Sequence, residues 1–269
     1  MVGPIVVKVG GEAFYPERRA LLAADVARLS SLGPVVLVHG GGVQLDRAAA
    51  RAGLPTHRVA GRRVTSDAVL LEAVREWRGW MSSAWVCALA EHGVCAVGVS
   101  GLDGGLLRAR RRPPVVVRTD DDRVRKVDYG WVGDIEAVNA DLLLAVLSLP
   151  AVPVVSPLAY GEGGALNVNA DTVAAEIAAA LGAERLVLLT GAPGIQADPA
   201  DEATALGCIT RGDLDELDGR GALRGGMRPK VAAVKLALDG GVGVVHVADG
   251  REPGALLRPQ EGTRVVADG

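Results

Sequence analysis

A chain of 269 residues, 49% hydrophobic and 23% charged, is long and apolar enough for one large α/β domain or two lobes, which excludes a mostly disordered protein. Its net charge of -3 gives no global pull toward nucleic acid or an anionic membrane. No charged-then-apolar leader or long apolar run is visible, so the expected setting is cytoplasmic, with neither a nucleic-acid nor a membrane partner. Cys87, Cys95 and Cys208 form no Cys-x-x-Cys pair and read as buried free thiols in a reducing compartment.

The first predicted strand, 5–9, is a β-branched run with Lys8 near its C-terminal end and Gly10 and Gly11 directly after it. An ammonium and bare backbone N–H groups converge there, which suits phosphate oxygens. The device recurs at 35–38, an apolar run closed by His39, Gly40, Gly41 and Gly42 before a helix-like stretch at 43–51. A helical pattern covers 67–90, and further strands are expected at 94–99, 152–156, 186–190 and 242–247, with helices at 172–181 and 230–238. This alternation predicts a largely parallel sheet covered by helices on both faces, with ligands gathering at the carboxyl ends of its strands.

Residues 106–132 depart from that rhythm. Arg108, Arg110, Arg111 and Arg112, then Pro113-Pro114, an apolar run and Asp120-Asp121-Asp122 read as a projecting β-hairpin with a charged turn, its arginines a solvated face. The glycine-rich stretch 160–164 marks a boundary between an N-terminal lobe, 1–160, and a C-terminal lobe, 161–269.

In the second half, Asn167, Asn169 and Asp171 are spaced by two before an alanine-rich helix, more polar groups than one N-cap requires. Thr190, Gly191, Gly194 and Ile195 belong to another glycine loop after a strand. Lys230 stands just inside a helix start opened by Gly225, Gly226 and Met227, a poor place for a cation unless an anion shares that terminus. A dinucleotide-dependent oxidoreductase is disfavoured, because the run from Gly40 to Leu45 lacks the last glycine of that fingerprint.

Six segments, Lys8 to Gly11, His39 to Gly42, Arg63 to Thr65, Gly130 to Gly133, Asn167 to Asp171 and Gly225 to Lys230, carry a resemblance to the amino acid kinase family, and within it to the acetylglutamate branch. The resemblance implies a three-layer αβα sandwich with a central mostly parallel sheet, the amino acid held by the N-terminal lobe and ATP by the C-terminal lobe. It implies ATP-dependent phosphorylation of a side-chain carboxylate, N-acetyl-L-glutamate being the expected acceptor, in arginine biosynthesis and without a covalent enzyme intermediate. Lys8 and Lys230 then neutralise charge on the phosphoryl group in transfer, and Asp171 holds both ammonium groups. Gly10, Gly11, Gly41 and Gly42 offer backbone N–H groups to the phosphate and the attacking carboxylate, Arg63 forks onto the α-carboxylate, and Asn167 adds a second contact. ATP is expected along Thr190, Gly191, Gly194 and Ile195 and near Gly226 and Met227, with Mg²⁺ brought by the nucleotide, since the chain shows no metal-ligand cluster. His39 reads as a packed strand-end histidine, because the acceptor is already ionised and needs no base.

Some positions depart from that branch. Thr190-Gly191 stands where an acidic residue is usual in the nucleotide loop, and Gly79-Trp80-Met81-Ser82-Ser83 lacks the expected Asn-Lys pair. Ser100 to Gly104 and the arginine cluster resemble a sister branch whose acceptor, aminoadipate or glutamate, is linked through its amine to an acidic carrier protein; this is the alternative function. By resemblance a homodimer built through the N-terminal lobes, without arginine feedback, is expected. A non-catalytic ligand-binding protein of the same fold is the remote alternative; Lys8, Asp171 and Lys230, all present, speak against it.

Overall fold

The computed structural model describes residues 3–118, 123–198, 200–221, 223 and 226–268; the Asp120-Asp121-Asp122 turn and Gly225 lie outside the described residues. The β-branched runs become the middle of an eight-stranded sheet. Its spatial order is Cys208–Thr210, Thr263–Val266, Val244–Asp249, Arg185–Thr190, Ile5–Val9, Val35–His39, Ala151–Ser156 and Cys95–Ser100. Neighbours pair in parallel except Val244–Asp249 with Thr263–Val266. Two strands begin later than expected, leaving Val94 and Val242 in the turns that precede them.

Every residue of Ile5–Val9 and Val35–His39 is buried, because helices cover both faces. Alternation sorts the side chains. Val6, Val36 and Val38 join Val173 and Ile177 of the helix Ala170–Ala180 and Val234 of the helix Met227–Asp239. Val7, Val9 and Leu37 join Leu22 and Val26 of the helix Pro16–Ser30 and Trp85 and Leu89 of the helix Ser82–Ala90. Lys8 has the parity of Val6, so its side chain emerges on the face that carries Asp171 and Lys230.

The helical run expected over 67–90 forms, but not uniformly. Ser66 caps Asp67–Ala73, and the middle piece, Val74–Met81, is widened to π-helical hydrogen bonding before Ser82–Ala90 resumes the α-helix.

Three expectations need correction. Residues 106–132 are not one hairpin: only Val115–Arg118 and Val124–Val127 form the two-stranded ribbon. Leu107–Arg111 instead enters a four-stranded sheet ordered Gly164–Asn167, Leu158–Gly161, Leu107–Arg111 and Gly133–Val138. Leu107 and Ala109 give that strand an apolar face to bury, and the N–H-less Pro113-Pro114 ends its ladder. The glycine-rich stretch 160–164 is the turn of a hairpin rather than a linker, with Gly163 and Gly164 at φ 86° and 124°. The three cysteines are free, as expected, but exposed, Cys95 and Cys208 at the starts of the two edge strands and Cys87 on the outside of its helix. Among the described residues no helix is long and apolar enough to cross a membrane.

Candidate active site

The glycine turns fall side by side because Ile5–Val9 and Val35–His39 are paired neighbours. Gly40 N–H donates to the Val9 carbonyl at 2.8 Å, locking the two turns together. The helix Gly42–Arg51 starts at Gly41 with no side-chain cap and no acidic residue in its first turn, so its leading N–H groups are available to an anion. Glycine is also required by what packs behind the loop. A Cβ on Gly41 would overlap the Trp77 indole and the Met81 sulfur, and Trp77 Nε1 donates to the Gly41 carbonyl at 2.9 Å. A Cβ on Gly11 would meet Gln44 Oε1 at 2.6 Å, and Gln44 Nε2 donates to the Gly11 carbonyl at 2.7 Å.

Asn169, not Asp171, caps the helix Ala170–Ala180, accepting from Thr172 N–H at 3.0 Å. That leaves the Asp171 carboxylate free to bind elsewhere. Its Oδ1 lies 2.8 Å from Lys8 Nζ and 3.1 Å from Lys230 Nζ, and the three residues are 8%, 8% and 6% exposed. Burial alone would raise the Asp171 pKa, but the charges and hydrogen bonds of Lys8 and Lys230 outweigh it and hold the carboxyl well below the usual range. Lys230 is pulled down to about 8 by burial and then by the like charge of Lys8, against the attraction of Asp171. Two cations thus share one carboxylate, leaving one positive charge without a carboxylate partner among the described residues.

The same pattern recurs beside Gly42. Arg58 and Arg63 stand directly across from each other on the ribbon His57–Val59 and Arg62–Val64, and like charges so placed need a counter-ion. Asp46 supplies it: Arg63 Nη1 donates to Oδ1, and Arg58 Nη2 to Oδ2 at 3.1 Å. Burial would raise the Asp46 pKa, yet the hydrogen bonds from Arg63 and Arg58 lower it. Arg63 Nη2 also donates to the Gly42 carbonyl at 2.8 Å, so this guanidinium is fixed against the glycine loop. Asn167 Nδ2 donates to Thr65 Oγ1 at 2.9 Å. Behind them a backbone ladder joins three distant segments: Thr65 N–H to the Tyr129 carbonyl, Trp131 N–H to the Thr65 carbonyl, and Asn167 N–H to the Trp131 carbonyl, at 2.9, 2.8 and 2.9 Å.

These groups border one cavity of about 430 Å³, with Lys8, Gly11, Gly41, Gly42, Arg63, Asn167 and Asp171 in its wall. Lys230 closes on Asp171 from behind, and Gly10 opens the turn that carries Gly11. The expected nucleotide residues Thr190, Gly191, Gly194, Ile195, Gly226 and Met227 do not line this cavity. Gly191 and Gly226 are exposed; Gly194 packs on Thr263, and Ile195 is buried with its N–H donating to Thr263 Oγ1 at 2.8 Å. His39 is wholly buried, and burial lowers its pKa to about 4, so it stays neutral and away from proton chemistry. Asp46, Arg58 and Trp77 escaped the sequence reading. Asp46 sits one helical turn beyond Gly42, and that spacing from the glycine loop was the only signal available.

A parallel sheet that gathers two lysines on one buried aspartate, beside a helix start kept bare by glycine, offers fixed cations of the kind phosphoryl transfer needs. The chain belongs to the amino acid kinase family, which it matches over residues 3–249, and is a phosphotransferase. It is 44% identical over 257 residues to the acetylglutamate kinase of Myxococcus xanthus, covering 94% of this chain and 83% of that one. Identity to the acetylglutamate kinase of Methanocella arvoryzae is 41% over 256 residues, covering 94% and 85%. Among solved structures, the N-acetylglutamate synthase of Neisseria gonorrhoeae, complexed with coenzyme A and N-acetyl-glutamate, superposes with a TM-score of 0.82 at 28% identity. That match covers 99% of this chain but 60% of that one, so the chain spans about three fifths of that longer protein. Carbamate kinase from Giardia lamblia, at a TM-score of 0.71, 14% identity and 99% coverage of both chains, shares the fold.

Proposed function

We propose that the protein transfers the γ-phosphoryl group of ATP to the side-chain carboxylate of N-acetyl-L-glutamate, giving N-acetyl-L-glutamyl 5-phosphate in arginine biosynthesis. One observation carries this reading. Two cation–carboxylate–cation units, Lys8–Asp171–Lys230 and Arg58–Asp46–Arg63, reach the cavity through Lys8, Asp171, Arg58 and Arg63, and each has one positive charge in excess within itself. An acceptor with a carboxylate at each end satisfies both. The similarity to acetylglutamate kinases over 94% of the chain supports the same acceptor.

The reacting carboxylate lies at the Lys8 end, over the N–H groups of Gly11, Gly41 and Gly42, and attacks phosphorus as an ionised nucleophile. Lys8 and Lys230 hold the phosphoryl oxygens as charge shifts onto them, and Asp171 keeps both ammonium groups in place. A preorganised donor of this kind contributes about 10²–10³ in rate. Arg63 and Asn167 take the α-carboxylate at the far end. Mg²⁺-ATP would supply the phosphoryl group, and the exposed Gly191 and Gly226 would offer backbone N–H groups to its phosphates. In this reading residues 1–160 hold the acceptor, with Asn167 reaching in from the second lobe, and 161–269 hold the nucleotide. The strand Cys95–Ser100 ends the eight-stranded sheet, and that edge supports a homodimer.

The carrier-linked alternative draws little support from the arginine cluster. Arg110, Arg111 and Arg112 face Glu136, Asp128 and Asp134, and Arg111 also stacks on Trp131, its guanidinium carbon 5.2 Å from the ring centre. The test is Mg²⁺- and ATP-dependent acyl phosphate formation trapped with hydroxylamine. N-acetyl-L-glutamate should turn over well above free glutamate and N-acetyl-aminoadipate; turnover only of a carrier-linked acceptor would move the function to the sister branch.

A further inference from the structure

Consecutive residues of a strand project to opposite faces, so Arg62 and Arg63 diverge although they are neighbours. Arg63 turns to Asp46. Arg62 turns the other way and lines the same cavity as Arg112 and Asp134. Arg112 holds Asp134 in a fork, Nε lying 3.0 and 3.1 Å from the two carboxylate oxygens while Nη2 donates to Oδ1. With Asp134 committed to Arg112, Arg62 has no hydrogen-bonded or ion-paired partner among the described residues. Arg62 is exposed, and desolvation, then the charge of Arg112, hold its pKa below the ordinary value. Glu176 also borders the cavity, but among the described residues it forms no ion pair.

Here again two cations and one carboxylate border the cavity, but among the described residues Asp134 binds only Arg112 and Arg62 is left over. The first two units match the two carboxylates of a glutamate-like acceptor, and the third lies where neither of those carboxylates is placed. The geometry points to a subsite formed by Arg62 and Arg112 that takes a carboxylate on the amine-blocking group, so that N-acyl glutamates whose acyl chain ends in a carboxylate are also acceptors. This rests on the kinase reading above, since it uses the same cavity and the same reacting carboxylate. A succinyl group has the chemistry required: an amide at one end and, two methylenes on, an anion for the guanidinium pair. The two planar forks suit a carboxylate better than any neutral acyl terminus.

The probe is N-succinyl-L-glutamate, compared with N-acetyl-L-glutamate by hydroxylamine trapping on the full chain with Mg²⁺-ATP. The expected result is turnover of both by the wild type, with Arg62→Gln lowering the succinyl-to-acetyl ratio of kcat/KM at least about tenfold and Arg62→Glu lowering it further. Turnover of the acetyl but not the succinyl compound, or a ratio unchanged within about twofold in Arg62→Gln, overturns the subsite while leaving the kinase reading intact. If neither compound is phosphorylated, the kinase reading fails instead and binding decides the subsite. N-succinyl-L-glutamate must then raise Tm more than N-acetyl-L-glutamate at equal concentration in the wild type and lose that advantage in Arg62→Gln. Equal shifts overturn it.

Discussion

Replacing Asp171 with Asn keeps the shape of the side chain and removes the one carboxylate shared by two buried ammonium groups. At 2.8 and 3.1 Å, and with an effective dielectric near 20, each contact is worth roughly 5 kcal/mol before desolvation is subtracted. Breaking a buried ion pair by removing one partner costs about 3–5 kcal/mol. If that loss falls on the transition state, kcat/KM drops by about 10²–10⁴, at 1.36 kcal/mol per decade. A second effect sharpens the test. Lys230 already sits at about 8, and the charge of Asp171 is among the forces keeping it protonated. Without that charge Lys230 falls further and is largely neutral at pH 7.5, so lowering the pH to 6 should restore part of the variant's activity while leaving the wild-type rate nearly unchanged. Hydroxylamine trapping at both pH values, with urea unfolding to verify the fold, measures both effects. A variant within about fivefold of wild type at pH 7.5, or a loss independent of pH, would refute the view that Asp171 keeps the lysines charged and in place.

Three further outcomes follow from the geometry. Asp46→Asn removes the counter-ion of Arg58 and Arg63, so KM for the acceptor should rise about tenfold with kcat and the KM for ATP little changed; equal losses in all three would mean a general structural defect. Gly41→Ala drives a methyl group into Trp77 and Met81 and should lower stability by about 1–3 kcal/mol in urea unfolding, with activity nearly abolished. As pH rises through about 8, wild-type kcat/KM should decline as Lys230 loses its proton. Between pH 8 and 10.5 the unfolded chain holds that proton more strongly than the folded one, so the stability of wild type relative to Lys230→Met should rise with pH over the same window.

Much of this architecture was legible because the informative signals are local. A β-branched run ended by glycines is a strand, a tight turn and an anion-binding terminus at once, and it placed Lys8, Gly41 and the parallel sheet together. Asp171 was legible as chemistry because Asn167, Asn169 and Asp171 are more polar groups than one cap requires, and Lys230 because it opposes the dipole of its helix. What was hidden depends on tertiary pairing. Asp46 looks like any polar position on a short helix until the ribbon of Arg58 and Arg63 folds over it. Leu107–Arg111 was assigned to a hairpin with its sequence neighbours, whereas its partner Gly133–Val138 lies beyond the ribbon and is recognisable only from the apolar face the two must share. Trp77 was hidden by a helical pattern whose period gives no sign of the local widening.

That widening has a consequence for how the chain tolerates changes in length. Bonding from i to i+5 accommodates one more residue per turn than ordinary helical bonding, so Val74–Met81 behaves as an α-helix carrying an inserted residue. Deleting one residue there would give a more regular helix and, judged by that helix alone, a better one. It would also rotate Trp77 by about 100°, the angular step between successive helical residues, and withdraw the indole from the Gly41 carbonyl. The glycine loop would lose its floor while the charged residues of the site stayed unchanged.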